Sequence, residues 1–343
     1  MSQNFLQTPF FLGDLELPHN LIYSPLAGCS DYPFRKIAKR YGAGLVYCEM
    51  VKIDALVRND PHTYRILDYD PSMHPIGAQL CGSKISLIKE SARIIEDLGF
   101  DVLDFNCGCP VDKVTKDGSG SGMLKNPRLI GDMIAEMVAS VKIPVTVKIR
   151  LGWDEDSICA EQITQIAELA GAKAIAIHGR TREQGYSGHA NWNPIADCKR
   201  KSESILVIAN GDLFDIQKAA ACAETTVADA LLFSRGTMGQ PWLAEDVLRS
   251  FQGKEPIVRG VLDIKKAMID HFEEIIAYHE DKRALLDFRR VGAWYLKRCI
   301  GAKDLKIQLN RASSVLEVMQ LVRDFDFEKF TLDHRLDLSS VSQ

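Results

Sequence analysis

The sequence lacks the features that place a chain in a membrane or outside the cell. No run of about 18 apolar residues occurs in its 343 residues, so no segment is suited to cross a membrane as a helix. Its start has no basic stretch followed by an apolar one, and we therefore expect no secretory signal. Its nine cysteines, an odd number at irregular spacing, do not form a disulfide framework. These absences predict a cytoplasmic protein with reduced thiols.

Motifs of common catalytic and metal sites are also missing. No G-x-S-x-G sequence is present, which argues against a hydrolase with a Ser-His-Asp triad. Cys107 and Cys109 stand two apart, but no second pair of cysteines or histidines accompanies them, and His62 and His74 are isolated. We therefore predict no metal site.

What is present is an alternation of short β-branched runs with longer amphipathic segments. Eight such runs, from "LIYSPLA" to "ADALLFSRG", alternate with helical patterns such as "SLIKESARIIEDLG". This alternation predicts an α/β fold, a (β/α)8 TIM barrel, over residues 1–250. The alternative is a doubly wound sheet, which needs a phosphate loop after its first strand; "SPLAGCSD" matches that loop poorly.

The strand signals stop near residue 255. Two long segments beyond that point, 261–280 and 285–301, have the pattern of helices. We therefore predict a small C-terminal all-helical domain over residues 256–333. We expect the last residues, 336–343, to be frayed.

Polar residues stand at the ends of several predicted strands, where a barrel of this type carries its chemistry. A lone polar residue there is more often structural, but five strands with the same ending indicate a site. The side chains supply mostly hydrogen-bond donors, which suit a polar, electron-rich ligand. They are Gln79, Asn106, Lys148, Arg150, His178, Asn210 and Asp212.

Glycine-bearing turns follow the seventh and eighth predicted strands, in "ANGD" and "SRGTMG". Barrels often bind phosphate at this place through backbone N–H groups, and Arg235 adds a guanidinium that can bind phosphate with two hydrogen bonds. The alternative is a pair of ordinary tight turns. Two such turns at the favoured places lead us to predict a phosphate site.

Several blocks of the sequence together resemble the tRNA-dihydrouridine synthases, most closely the bacterial B-type subgroup. The blocks are "SPLAGCSDYPFR", "DFNCGCP", "VKIRLGW", "IHGRTREQGYSG", "VIANGD" and "SRGTMGQPW". They occur in the order and spacing of that family over residues 18–325. The most specific are the N-x-G-C-P block and the K-I-R and I-H-G-R pair.

The resemblance implies an FMN-dependent enzyme that takes electrons from NADPH and reduces uridines in tRNA to 5,6-dihydrouridine. Reduced FMN passes hydride to C6 of the uracil, and a cysteine, matched here by Cys109, gives the proton to C5. Lys148 and His178 match the other catalytic residues. The residues that match the FMN-binding positions are Pro25, Leu26, Ala27, Gln79, Asn106, Lys148, His178, Asn210, Gly211, Asp212, Ser234, Arg235 and Gly236. Asn106 and Arg150 match residues near the uracil.

The chain as a whole is acidic, with a net charge of −4, but residues 282–311 carry nine basic and two acidic side chains. This segment therefore has a charge of +7, and the remainder −11. Such a concentration predicts a surface for the tRNA backbone, although a solvated helix face is the common alternative. The predicted contacts are Arg283, Arg289, Arg290, Lys297 and Arg298.

Two other functions remain open from the sequence. An FMN-dependent dehydrogenase of a free small pyrimidine shares the flavin and phosphate residues, but it does not need a strongly basic C-terminal segment. A non-catalytic RNA-binding protein on the same scaffold does not need Cys109, Lys148 and His178. We expect a monomer.

Overall fold

The computed structural model describes residues 5–332, and its central element is a barrel of parallel strands. A hairpin of β1 (Phe10–Leu12) and β2 (Leu15–Leu17) precedes it. The barrel strands are β3 (Leu21–Tyr23), β4 (Val46–Tyr47), β6 (Ile76–Cys81), β7 (Val102–Cys107), β8 (Val145–Arg150), β9 (Ala174–His178), β10 (Leu206–Asn210) and β11 (Ala230–Phe233); β5 (Val51–Lys52) pairs beside β4 on β6.

The eight strands follow each other in chain order around the sheet, and β11 pairs with β3. A parallel bridge between Ile22 and Leu45 joins β3 to the start of β4, which closes the circle. The prediction of a (β/α)8 barrel is confirmed, and the doubly wound alternative is wrong. Each of the eight predicted runs contains one of these strands.

Helices cover the outside of the barrel. Asn126 shows how the sequence starts one of them: its side chain accepts a hydrogen bond from the N–H of Leu129 at 3.3 Å, and Pro127 takes the first helical position. The helices are α1 (Tyr32–Arg40), α2 (Ile53–Val57), α3 (Pro61–Ile66), α4 (Ile85–Asp97), α5 (Asp112–Thr115), α6 (Pro127–Ser140), α7 (Ala160–Leu169), α8 (Asn193–Lys201), α9 (Ile216–Thr226) and α10 (Leu243–Phe251).

Alternation along the strands separates two apolar cores. On β7, Leu103, Phe105 and Cys107 belong to the core between strands and helices, while Val102 belongs to the barrel interior. The hairpin adds Phe10, Leu12 and Leu17 to that interior core, so apolar side chains fill the N-terminal end of the barrel. The polar positions are thereby left to the C-terminal end.

Four more helices follow the barrel and share a separate apolar core. This region also contains a pair of two-residue antiparallel strands that the sequence did not predict. The division into domains 1–250 and 256–333 stays a prediction. Residues 1–4 and 333 of these domains, and the tail 336–343 that we expect to be frayed, lie outside the described range. The elements are α11 (Val261–Tyr278), α12 (Asp281–Leu296), β12 (Cys299–Ile300), α13 (Lys303–Arg311), α14 (Val315–Asp324) and β13 (Thr331–Leu332).

Within residues 5–332, the helices are too short or too polar for any of them to pass through a lipid bilayer.

Candidate active site

Side chains of three neighbouring strands meet inside the barrel near its C-terminal end. Gln79 of β6, Asp104 of β7 and Thr146 of β8 are direct partners in the sheet. Two residues further along, Asn106 of β7 and Lys148 of β8 are also partners. Because alternate residues of a strand face the same side, these polar residues all point inward, away from the helices.

A cavity opens at this end of the barrel; its empty space, together with the open solvent at its mouth, amounts to about 880 Å³. Every residue that the sequence predicts for catalysis or cofactor binding lines this cavity, and so does Arg150. The set is Pro25, Leu26, Ala27, Gln79, Asn106, Cys109, Lys148, Arg150, His178, Asn210, Gly211, Asp212, Ser234, Arg235 and Gly236.

The two thiols of the C-x-C sequence point to different places. Cys107 is fully buried in the core between strands and helices, whereas Cys109 is partly exposed and lines the cavity. The backbone N–H groups of Gly108 and Cys109 donate to Asn106 Oδ1 at 3.1 and 3.0 Å. The hydroxyl and N–H of Ser121 donate to the Cys109 carbonyl at 2.8 and 3.0 Å. These bonds hold the backbone of Cys109 from both sides.

Positive charge gathers on one side of the cavity. Burial lowers the pKa of Lys148 from its ordinary 10.5 to about 8, and the neighbouring Arg150 acts in the same direction. Burial, with Arg150 and Lys148 nearby, also lowers the pKa of His178 well below 6.5, so its imidazole is neutral at pH 7. Arg235 is buried too. Asp212 Oδ1 lies 3.6 Å from Nη2 of Arg235, and an anionic ligand would stabilise these cations further.

Arg150 connects two loops at the mouth of the cavity. Its Nε donates to the carbonyl of Gly108 at 2.9 Å, on the loop that carries the thiol. Its Nη1 donates to the carbonyls of Thr181 and Gly185, both at 2.8 Å, on the loop after β9. Arg150 therefore fixes these loops against each other in addition to lining the cavity.

The turns after β10 and β11 are joined where the sequence predicts a phosphate site. Asn210 Nδ2 donates to the carbonyl of Leu232 at 2.6 Å and to Ser234 Oγ at 3.0 Å. A Cβ atom on Gly236 would lie 2.1 Å from the carbonyl oxygen of Leu213. The close approach of the two turns therefore requires glycine at this position.

The carboxylate of Asp212 forms an ion pair with Arg180 that the sequence did not predict. Its carboxylate oxygens accept from Arg180 Nη1 and Nη2, both at 2.8 Å, and one of them accepts from the N–H of Ala190 at 2.8 Å. Arg180 is fully buried and also donates to the carbonyls of Ser187 and Gly188. The carboxylate thus anchors the loop after β9, and its Oδ1 also lies 3.6 Å from Nη2 of Arg235 on the turn after β11.

Tyr186 lines the cavity and was missed by the sequence reasoning. Its ring centre lies 4.1 Å from Cζ of Arg235 and 5.6 Å from Cζ of Arg150. The signal was available, because Tyr186 is an aromatic residue of the loop that follows His178. Functional residues are frequent on such loops, which a rigid barrel holds in place.

The basic residues predicted to contact the tRNA backbone lie on α12 or directly after it, outside the lining of this cavity. Arg290 is paired with Asp31 at 2.7 Å and with Asp287 at 2.9 Å, and it also contacts the carbonyl of Gly28. Arg298 contacts the side chain of Gln240. The role of the predicted set in binding stays a prediction; its members are Arg283, Arg289, Arg290, Lys297 and Arg298.

One cluster of the described residues has the spacing of metal ligands. Asp31, His279 and Asp287 each place a ligand atom within 4.8 Å of the others. Arg283 and Arg290 form ion pairs with Asp287 at 2.8 and 2.9 Å. Guanidinium groups therefore neutralise the carboxylates, which disfavours a cation here. The expected absence of a metal site stays a prediction.

Comparison with known proteins agrees with this geometry. The sequence matches the family described as "Dihydrouridine synthase" over residues 22–331. It is 34% identical to "tRNA-dihydrouridine synthase B" of Pseudomonas aeruginosa over 319 residues, which are 93% of this chain and 96% of that protein. The chain belongs to the dihydrouridine synthase family. The predicted resemblance to the bacterial B-type is confirmed, since relatives of that designation match nearly the whole chain.

Another dihydrouridine synthase relative, "Probable tRNA-dihydrouridine synthase 1" of Synechocystis, is 36% identical over 317 residues, 92% of this chain and 88% of that protein. Among solved structures, histamine dehydrogenase from Rhizobium sp. 4-9 has a TM-score of 0.56 at 12% identity, covering 80% of this chain and 51% of its own. Morphinone reductase has a TM-score of 0.53 at 15% identity, covering 75% and 92%. At these identities the likeness concerns the barrel fold alone.

Proposed function

We propose that this chain reduces specific uridines in tRNA to 5,6-dihydrouridine with a bound flavin. Its relatives over more than nine tenths of its length, 93% and 92%, are named tRNA-dihydrouridine synthases. The observation that carries the proposal is the single cavity in which the Cys109 thiol, the Lys148 ammonium and the buried Arg235 meet. A tRNA substrate implies a cytoplasmic location. We also propose that the protein acts as a monomer.

The donor set fits FMN. The half-buried Lys148 and the buried Arg235, which lies 3.6 Å from Asp212, make this cavity positive, and a single phosphate with a polar ring system suits that charge. We assign the phosphate to the turns at 210–212 and 234–236, and the ring to Gln79, Asn106, Lys148 and His178, beside the backbone of 25–27. When bound, the flavin supplies the hydride for uracil C6, and NADPH is the reductant that we propose for it.

The chain's own residues supply the proton and the geometry. The thiol of Cys109 lines the cavity, its backbone is held from both sides, and it can give its proton to C5 of the base. Lys148, with a pKa of about 8, is mostly charged at pH 7 and stabilises negative charge that develops on the base. The base must leave its stack to enter the cavity.

Replacement of Cys109 by alanine tests this assignment. The variant should keep its flavin and its oxidation of NADPH, but it should lose formation of dihydrouridine in unmodified tRNA, measured by mass spectrometry of the digested RNA. Cys107→Ala is the matched control, because Cys107 is buried outside the cavity. Normal turnover by Cys109→Ala would remove the thiol as the acid. Reduction of free uridine at the same rate as tRNA would favour a small-pyrimidine dehydrogenase.

We propose that the basic surface of α12 and α13 binds the tRNA backbone. Lys297 lies close enough to Arg235 and Lys306 for their charges, in addition to its own burial, to lower the pKa of Lys297. Lys303 and Arg311 are exposed on α13. Positive charge thus continues from the phosphate turns of the cavity to the exposed helices, which suits a polyanion that passes over both.

Charge reversal tests this basic surface. The replaced residues exclude arginines such as Arg290, whose side chains already form ion pairs within the protein. Lys297→Glu, Lys303→Glu and Arg311→Glu combined should weaken tRNA binding, and should lower the salt slope of log Kd by roughly 0.7–0.9 for each phosphate that the protein no longer neutralises. Flavin content should not change. The control combines Lys89→Glu and Lys218→Glu, which are exposed on α4 and α9. If both combinations bind alike, the RNA surface lies elsewhere.

A further inference from the structure

A chain of hydrogen bonds runs below the cavity from a buried carboxylate to the backbone of Cys109. Asp104 Oδ2 accepts from Gln79 Nε2 at 2.6 Å. Gln79 Oε1 accepts from Asn106 Nδ2 at 2.7 Å. Asn106 Oδ1 then accepts from the N–H groups of Gly108 and Cys109 at 3.1 and 3.0 Å. These hydrogen bonds connect Asp104 through two side-chain amides to the backbone N–H groups of Gly108 and Cys109.

The carboxylate decides the direction of the whole chain. An ionised carboxylate only accepts hydrogen bonds, so Gln79 must turn its NH2 group toward Asp104. This orientation leaves Gln79 Oε1 for Asn106, which must present its own NH2 group and keep its oxygen for Cys109. With either amide reversed, two oxygens or two NH2 groups would face each other. A single charge therefore sets the rotation of two amides.

Asp104 is well suited to this role. It is buried, and its other oxygen accepts from Thr146 Oγ1 at 2.5 Å, so both oxygens have partners. Burial raises the pKa of Asp104 from 3.8 to about 6, while the hydrogen bonds from Thr146 and Gln79 oppose the rise. The carboxylate is thus mostly ionised at pH 7. Sheet pairing holds Gln79, Asp104 and Thr146 side by side, so the geometry is rigid.

We propose that Asp104 is a positioning residue for Cys109: through Gln79 and Asn106, it fixes the backbone from which the thiol projects. This inference rests on the proposed function, since Cys109 is the proton donor there. Asp104 itself does not line the cavity. Its effect should therefore appear in the step that needs the thiol. Because Gln79 and Asn106 are also assigned to the flavin ring, the variants are compared at equal flavin content.

Three variants separate positioning from support of the barrel. Asp104→Leu removes the acceptor and lets the amides rotate. Asp104→Asn can keep its oxygen toward Gln79 and donate its NH2 group to Thr146, whose hydroxyl turns to accept; the order of the chain survives. Thr146→Val removes a partner of Asp104 that is not on the path to Cys109, and it is the control for loss of a buried hydrogen bond. Because this loss also raises the pKa of Asp104, all variants are compared with the wild type at pH 8.

The first measurement is a single turnover of the flavin-loaded protein. The flavin is reduced with dithionite, the protein is mixed with unmodified tRNA, and oxidation is followed by absorbance. We expect Asp104→Leu to react about 10- to 100-fold more slowly, as for a misplaced catalytic group. Asp104→Asn and Thr146→Val should stay within about threefold of the wild type. An equal loss in Thr146→Val would show mere structural support, and an unchanged rate in Asp104→Leu would overturn the proposal.

The second measurement does not depend on flavin or on turnover. Alkylation of Cys109 by iodoacetamide in the flavin-free protein, followed by peptide mass spectrometry, should be several-fold faster in Asp104→Leu and unchanged in Asp104→Asn. Equal alkylation of all variants contradicts the inference. If Asp104→Leu does not fold, Gln79→Met interrupts the chain one link later and should alter alkylation in the same way. Wild-type protein that does not reduce tRNA would instead contradict the proposed function.

Discussion

Replacement of Lys148 by methionine should stabilise the flavin-free protein while it abolishes uridine reduction. The ammonium group of Lys148 lines the cavity near Arg150. Its burial, with the positive charge of Arg150, lowers its pKa from 10.5 to about 8. The folded protein therefore bears the cost of an unfavourable charge that its proposed function requires. Methionine has a similar length without the charge.

The magnitude follows from the pKa of Lys148. A fall from 10.5 to about 8 corresponds to about 3 kcal/mol of unfolding free energy. Below pH 8 the lysine is charged in the folded and unfolded states, and the whole cost is present. Between pH 8 and 10.5 the folded state has lost the proton and the unfolded state still holds it, so the wild type gains stability as pH rises. By pH 9.5, about 2 kcal/mol of the difference from Lys148→Met should have disappeared.

Urea unfolding of the flavin-free proteins at pH 7 and pH 9.5 measures this difference. Lys89→Met, an exposed position on α4, is the matched control, and its effect should not vary with pH. Water that enters the open cavity screens the charge, so about 3 kcal/mol is an upper limit. If Lys148→Met is less stable than the wild type at pH 7, and the difference does not change with pH, the reasoning is refuted.

Two further substitutions test the phosphate end of the cavity. Arg180→Met removes the two hydrogen bonds of Arg180 to the Asp212 carboxylate, which is 8% exposed and keeps Arg235 at 3.6 Å. Loss of this buried pair should cost about 3–5 kcal/mol in urea unfolding. A loss below about 1 kcal/mol would show that the ion pair is not needed. Gly236→Ala places a Cβ 2.1 Å from the Leu213 carbonyl oxygen and should yield protein with little bound flavin by absorbance. Gly260→Ala, whose Cβ has nothing closer than 3.8 Å, is the control, and equal flavin content in both would contradict the assignment of the turns.

The positions of the cavity residues could be predicted because they follow from local pattern. Residues at the ends of parallel strands share one end of a barrel, and alternation decides which of them point inward. Gln79, Asn106, Lys148 and His178 were placed correctly by these two rules. Alternation alone would put Cys107 and Cys109, which are two residues apart, on the same side; they separate because β7 ends at Cys107.

The partners of charged residues could not be predicted, because they come from distant parts of the chain. Arg290 was counted as a contact for RNA on the basis of a basic run, yet its partner Asp31 is 259 residues away. Asp212 was assigned to phosphate, yet its carboxylate is bonded to Arg180. A charge pattern gives the sign of a surface but not which of its members are already paired.

The bonds of Arg290 have a consequence for the exchange of parts between relatives. They join α12 to the carbonyl of Gly28 and the carboxylate of Asp31, on the loop that continues from the cavity-lining residues 25–27. A chimera that takes its C-terminal helices from another family member would separate the two halves of this contact. The helices and the loop at 25–31 should therefore be transplanted as one unit, although nearly the whole barrel lies between them in the sequence.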